Sequence, residues 1–538
     1  MMAILARPIL AQIGRLFALA LAMWVGLWVS GAEAQSDSKT LRFIPQADLR
    51  SIDPIWTTAY VTRNFGYLVF DTLFSVDRDF KPQPQMVDTW KVSDDKLAWS
   101  FTLRPGLKWH DGTPVRAADC VASIERWGKR DPFGQKLLDA TDTITADGDD
   151  TFTIHLKTPF PLMLNALGKL SSNVPFMMPE RIAKTDAFQQ IPEAIGSGPF
   201  KFVKAEWEPG HKAVFVKNPD YIPRKESPSL ASGGKVAKID RIEWLYIPDG
   251  ATATGALKAG EADWYEQPTQ DLLPVFAGDP NVKVAIVDPL GNVGVLRFNH
   301  LQPPFDNPKM REAVLNLVNQ KDYMEAVAGD QKYWKTCAAI FVCGGPFETN
   351  AGADELEHAP NLDKAKALIK EAGYNGEKIV LLTATDQPIV QAQALVTQQA
   401  LLKAGLNVDL AASDWGTLIT RRASKEPVDK GGWSIFHTWT SAPDNMSPAT
   451  NAQVRGNGGV AWFGWPTDPK VEELITDWFK APDPDAQKKL ATDIQVEAYT
   501  HEFPYVPTGQ FVIPTAYRAN IDGVISSPIP FFWNVEKK

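Results

Sequence analysis

At 538 residues and a formal net charge of −9, the chain is too long for one hydrophobic core and carries no basic field for nucleic acid or anionic lipid. Two or three domains are expected. Hydrophobic residues at 44% and charged residues at 22% describe an ordinary globular protein, while 18 Trp favour aromatic-lined clefts.

The N-terminus reads as a targeting segment. Arg7 and Arg15 precede the apolar run Leu16 to Val29, and Ala32-Glu33-Ala34 supplies small residues before Gln35. This pattern predicts a Sec-type secretory signal peptide over 1–34 rather than a membrane anchor. There is no twin arginine and no Cys at the cleavage site, so a lipoprotein is not expected. The mature chain is expected to be soluble and exported to a bacterial periplasm. Cys337 and Cys343 fit an oxidising compartment. A bridge between them closes a short loop, worth roughly 2 kcal/mol in the chain-entropy model. Cys120 sits in an apolar helical pattern and reads as a buried thiol.

Along the chain, Leu41 to Ile44 reads as a strand and Tyr67 to Phe74 as a short helix. Alternation at Trp99, Phe101 and Leu103, and at Phe152, Ile154 and Leu156, marks strands around a helix from Ala117 to Trp127. Further alternating strands hold Val214 and Val216, then Ile242, Trp244 and Tyr246. A helix from Gly250 to Ala259 stops at Gly260, a C-terminal cap. At Asp288 the character shifts to longer helices: one opening at Asn307-Pro308, then Asp363 to Ala372, Ile389 to Ala404, and one opening at Asp468-Pro469. The third feeds a strand, Leu406 to Leu410. Helix followed by strand implies an α/β lobe, and strand-like sequence returns after about residue 504.

The common exported hydrolases are not supported. There is no Gly-x-Ser-x-Gly elbow and no His-Glu-x-x-His helix, and the seven His are scattered. Gly456 to Ala461 matches a dinucleotide fingerprint only loosely, because Trp-Phe-Gly-Trp-Pro follows it where a helix is required. His110 beside Asp111 lies in turn chemistry. No metal site is expected for Cys337 and Cys343, since no second Cys pair exists.

The stretch Gly432 to Pro448 combines strand alternation at Trp433, Ile435, His437 and Trp439 with a Ser/Pro/Asp/Asn loop containing Asp444 and Asn445. A strand that carries aromatic rings into a polar loop suits a ligand site at a strand end. An ordinary core strand ending in a turn has the same pattern.

Leu103-Arg-Pro-Gly106-Leu-Lys-Trp109-His110-Asp111-Gly112-Thr-Pro114 and its continuation to Ser123 resemble the signature of the family 5 extracellular solute-binding proteins of ABC importers, which bind dipeptides, oligopeptides and nickel. Gly196 to Lys201, Asn218 to Tyr221, Ala256 to Asp263, Pro304 to Val314 and Asp363 to Tyr374 match in the same order, covering about Leu41 to Asn534. The resemblance implies an α/β, two-lobe periplasmic binding protein fold (type II-like, cluster C) with an inserted subdomain. Lobe I would comprise 35–75, 196–288 and the return segment 505–538, with the inserted subdomain at 76–195 and lobe II at 289–504.

The implied function is capture of a solute by lobe closure and delivery to membrane permease subunits, by a monomer without cofactor. In dipeptide-binding relatives, an Asp shortly after a Trp pairs with the peptide amine. An ungapped match places Ala442 there, with Asp444 two residues on. An Arg for the peptide carboxylate would fall near Asp386-Gln387-Pro388, where none stands. Trp439 does match. Trp433 and Trp462, with Phe463 and Trp465, are candidate cleft walls. His437 faces either the cleft or the core. The expected ligand is a peptide or peptide-like solute. The alternatives are a non-peptide solute, such as an opine or oligosaccharide, and, in another class, an exported hydrolase.

Overall fold

Leu41, Phe43 and Ile44 are fully buried in a strand whose Thr40 and Arg42 are half-buried, and around that strand the first lobe is built. The computed structural model describes residues 39–481 and 483–538; the expected signal peptide lies outside them. Thr40–Ile44 pairs in parallel with Arg241–Leu245 on one side and Trp264–Tyr265 on the other. Burial alternates along the two longer strands: Leu41, Phe43, Ile242 and Trp244 face the core, while Arg42, Arg241 and Glu243 form ion pairs on the half-exposed face. The full sheet has seven strands, in the order Phe200–Phe202, Lys212–Lys217, Arg241–Leu245, Thr40–Ile44, Trp264–Tyr265, Thr515–Arg518, Val282–Ala285. Phe43 packs against Trp244, Trp264 and Phe532, so the chain's C-terminal segment closes the core opened by its first strand.

The second lobe holds a six-stranded sheet in the order Trp334–Lys335, Tyr505–Phe511, Asn292–Phe298, Ile435–Ser441, Ile379–Ala384, Val408–Ser413. Helices Gln320–Ala328 and Pro388–Lys403 cover one face. A third sheet of four strands, Val87–Val92, Ala98–Leu103, Thr151–Leu156 and Thr141–Ala146, carries the helices Ala117–Gly128 and Pro132–Ala140. This unit reaches the second lobe: Lys136 Nζ donates to Thr476 Oγ1 at 2.8 Å, and the Phe479 ring packs on Phe133 and Phe160.

Helix ends follow local chemistry. Asp468 accepts from the N–H groups of Lys470 and Val471, Asn307 accepts from Lys309, and Gly260 caps its helix in the left-handed region at φ 78°. The expected helix at 67–74 is instead Tyr60–Val69. The backbone turns extended at Phe70, and Asp71–Thr72 pairs with Phe176–Met177, so the apolar run straddles a helix end and a bridge. The strand expected at 406–410 is Val408–Ser413. Helices Pro132–Ala140, Gln320–Ala328 and Pro484–Glu497 were not anticipated, although Asp131, Asn319 and Asp483 cap them.

The chain passes between the two large sheets twice, between Ala285 and Asn292 and between Phe511 and Thr515. The crossings lie side by side, since Asn292 pairs with Phe511. Gly291 belongs to the first crossing. Its φ is +69°, and a Cβ there would stand 2.3 Å from the Phe511 carbonyl oxygen, so no side chain fits. Cys337 and Cys343 form a disulfide with Cα atoms 6.0 Å apart, and Cys120 is a buried free thiol.

Candidate ligand-binding site

Ile435–Ser441 is a central strand of the second lobe, paired on both sides. At its end the chain tightens into a 3-10 turn over Ala442–Asn445, with Pro443 in the first turn. This turn carries Asp444 to the boundary with the first lobe. There its Oδ2 accepts from Tyr60 Oη at 2.5 Å, Ser171 Oγ at 3.0 Å and Ser441 Oγ at 3.2 Å. Tyr60 stands on the first-lobe helix and also accepts the Ser441 N–H at 2.7 Å. Burial, followed by the Asp444 carboxylate, holds the Tyr60 phenol well above its ordinary pKa, so it acts as the donor. Asp444 Oδ1 is buried and has no protein partner. A buried acceptor left in this way costs free energy unless something else donates to it.

Trp439 leans on Tyr60, with ring centroids 5.0 Å apart, while the Arg63 guanidinium lies 4.2 Å from the centroid of the Tyr60 ring. The Trp439–Tyr60 pair divides the lobe interface into two cavities of about 50 Å³ each. The first is lined by Asp444, Trp439, Trp462, Trp415, Arg422 and Gln387, among others. The second holds Glu266 and Asp288, whose carboxyl groups burial pushes up to about 7 and about 6. A wider groove of about 1080 Å³ lies between the lobes beyond Gln46 and Gln387, which line both it and the first cavity. Gln387 Nε2 donates to Gln46 O at 2.5 Å, and Tyr246 Oη donates to Asp386 Oδ2 at 2.6 Å, so the lobes are clasped at this point also.

Of the eight residues singled out from the sequence, Trp439, Asp444 and Trp462 line one cavity, while Phe463 packs on Trp462 and Trp465 on Trp433. The other three stand apart from it. His437 is buried beneath helix Pro388–Lys403, with Nδ1 3.1 Å from Val295 O and Nε2 2.7 Å from Thr397 Oγ1. A carbonyl only accepts, so Nδ1 carries the proton and Nε2 accepts from the threonine. Burial drops this imidazole to about 3, and it is neutral in the core. Trp433 precedes the strand and packs on Phe436 and Trp465 on the opposite face of the sheet. Asn445 turns inward and donates to Thr440 Oγ1 at 2.5 Å. Ala442, at the ungapped position of the amine anchor, packs in an apolar cluster with Val293 and Val342. The carboxylate that reaches the lobe boundary is that of Asp444.

Tyr60, Ser171, Arg422 and Trp415 were not anticipated. They come from elements remote in sequence from the loop, and only Arg421-Arg422, a charged pair closing a helix, gave any local hint. Among the described residues no group of three or more His, Cys, Asp or Glu is placed to hold a metal ion. No helix of the described residues is long and apolar enough to cross a membrane.

The family model of the bacterial extracellular solute-binding proteins, family 5 (middle region), matches residues 81–470. The chain belongs to this family. It is 39% identical over 507 residues to the probable peptide ABC transporter periplasmic-binding protein y4tO of Sinorhizobium fredii, covering 94% of each chain. It is 28% identical over 462 residues to the glutathione-binding protein GsiB of Pectobacterium atrosepticum, covering 83% of this chain and 84% of that one. Among solved structures, the periplasmic binding protein AgaA of A. tumefaciens R10, in complex with agropinic acid, superimposes with a TM-score of 0.77 at 21% identity, covering 93% of this chain and 99% of AgaA. DppA of Helicobacter pylori, in complex with the peptide STSA, gives 0.76 at 21% identity, covering 93% and 98%. The fold is therefore the two-lobe α/β fold of these binding proteins. As a family 5 member the chain is a solute-binding component of an ABC importer.

Proposed function

We propose that this family 5 protein captures a peptide or peptide-like solute in the periplasm, as a monomer, and presents it to its permease in the closed form. One observation carries the reading: Asp444, on the loop after Trp439, is buried at the lobe boundary with Oδ1 free of any protein donor. An ammonium group placed there completes its hydrogen bonding. Such a ligand touches both lobes only when they are shut, and this differential contact biases a hinge equilibrium toward closure. The names of the two relatives, one a probable peptide ABC transporter periplasmic-binding protein and the other a glutathione-binding protein, support the same ligand class.

A non-peptide solute is the second reading. It is favoured by the segment 386–388, which offers no cation for a peptide carboxylate; Asp386 and Gln387 are engaged with Tyr246 and Gln46.

Thermal shift and calorimetry over dipeptides, tripeptides, glutathione and opines test the proposal. A ligand at 100 times its dissociation constant stabilises the folded form by about 2.7 kcal/mol if it binds only that form. Asp444→Ala is expected to weaken a free-amine peptide at least tenfold more than it weakens the N-acetyl derivative. Equal binding of the two peptides by the wild type removes the amine anchor. Turnover of a hit, seen by mass spectrometry, contradicts a pure binding role.

A further inference from the structure

Buried arginines elsewhere in this protein are well supplied with acceptors. Arg126 forks onto the Asp53 carboxylate at 3.1 and 2.8 Å. Arg297 donates to the carbonyls of Phe463, Gln453, Pro504 and Trp462. Arg311 reaches Glu502 and the Phe305 carbonyl. Arg422 differs. It is 2% exposed, its Nε has no acceptor, and Nη2 makes one long contact of 3.4 Å to Thr58 Oγ1 across the lobe boundary.

Aromatic rings surround the guanidinium: its carbon lies 4.6 Å from the Phe463 centroid, 5.6 Å from Trp462, 5.7 Å from Phe436 and 5.8 Å from Trp415. These faces offset part of the desolvation cost but offer no lone pair to the N–H fork. Burial alone lowers the group to about 9, with no carboxylate near enough to oppose the shift, and it remains a cation at neutral pH. An unpaired buried charge is among the costliest features a fold can hold, and it calls for an anion.

Arg422 and Asp444 line the same cavity. One is a cation short of acceptors and the other a carboxylate short of a donor. We propose that Arg422 receives a carboxylate of the ligand while Asp444 receives its amine, so that the solute is a zwitterion gripped at both ends. A planar guanidinium matches a carboxylate bidentately, and the aromatic walls exclude water from the pair. The amine half of this proposal rests on the peptide reading above; the anion half rests on Arg422 alone. The anchor sits at the end of helix Trp415–Arg421, an element apart from the 386–388 segment.

The test uses Ala-Ala, its C-terminal amide and its N-acetyl derivative, titrated calorimetrically into the wild type, Arg422→Met and Arg422→Lys. The wild type is expected to bind Ala-Ala at least tenfold more tightly than the amide. Arg422→Met is expected to bind the two equally, and Arg422→Lys to retain part of the preference. An amide bound as tightly as the acid by the wild type, or a preference that survives in Arg422→Met, overturns the anion anchor. If the acid is preferred but N-acetylation changes nothing, the amine reading at Asp444 fails and Arg422 stands. The melting temperature of the ligand-free protein decides independently of any probe. Arg422→Met removes an unpaired charge and is expected to raise it by about 2 °C; a fall would show that the arginine is a structural pin and overturn the proposal.

Discussion

Tyr60 Oη and Asp444 Oδ2 lie 2.5 Å apart, although 384 residues separate them in the chain. The bond joins the first-lobe helix to the second-lobe loop. Tyr60→Phe keeps the ring against Trp439 and deletes only the hydroxyl. The carboxylate keeps its two serine donors, and the Ser441 N–H loses its acceptor. The expected loss is about 1–3 kcal/mol of closed-state stability. It is read as a lower melting temperature and, by small-angle scattering, a larger radius of gyration without ligand. An unchanged radius would show that the hydroxyl does not hold the lobes together.

Glu266 predicts a pH dependence. Burial raises its carboxyl to about 7, despite hydrogen bonds from the Gln46 N–H at 2.7 Å and Asn64 Nδ2 at 3.0 Å. A folded pKa above the unfolded value of about 4.3 means that the folded state holds the extra proton between those values. The stabilising contribution is complete below about pH 4.3 and is lost as pH rises through about 7, to a limit of about 4 kcal/mol. Glu266→Gln cannot ionise, so the wild-type-minus-variant difference in melting temperature is expected to fall steadily over that window. His437, present in both proteins, cancels in the difference. A flat difference would contradict the assignment.

The Cys337–Cys343 bridge spans six residues of sequence. Closing so short a loop contributes about 2 kcal/mol in the chain-entropy model. The loop is also held by Gln320 and Gln510, whose side-chain oxygens accept the N–H groups of Cys337 and Cys343. Reduction, or the Cys337→Ser/Cys343→Ser double variant, is therefore expected to lower the melting temperature without unfolding the lobe. Calorimetry with and without dithiothreitol checks this.

Gly291→Ala places a Cβ 2.3 Å from a backbone oxygen at a positive φ. The backbone conformation alone costs about 1–3 kcal/mol for a residue with a side chain. The crossing is expected to shift, lowering both the melting temperature and the affinity for any solute that bridges the lobes. Loss of stability with unchanged affinity would show that the crossing does not set the lobe geometry.

Much of the fold was legible because it is written in local periods. Alternation marked Thr40–Ile44, Ala98–Leu103 and Thr151–Leu156, and capping residues marked the helices at Asn307, Asp468 and Gly260. The site was legible only in part, because it is made of pairs across the chain. Alternation puts His437 and Trp439 on one face of their strand. It cannot show that Thr397 on an overlying helix covers the first, while the second meets Tyr60. The same limit hid Arg422. Arg421 donates to the Gly431 and Gly432 carbonyls at the surface, and its neighbour points among four rings. Nothing in the dipeptide Arg-Arg distinguishes them.

The two crossings lie next to each other, with Asn292 opposite Phe511. Two struts so placed act as one axle: they permit a swing and resist sliding or twisting. Every contact across the boundary then parts in the same stroke, including Asp444 from Tyr60, Arg422 from Thr58 and Asp386 from Tyr246. Prising the lobes apart at any point on the rim thus loosens the grip on both ends of the cargo together. A permease that engages the two lobes needs only leverage, with no separate trigger at the pocket, to set the solute free.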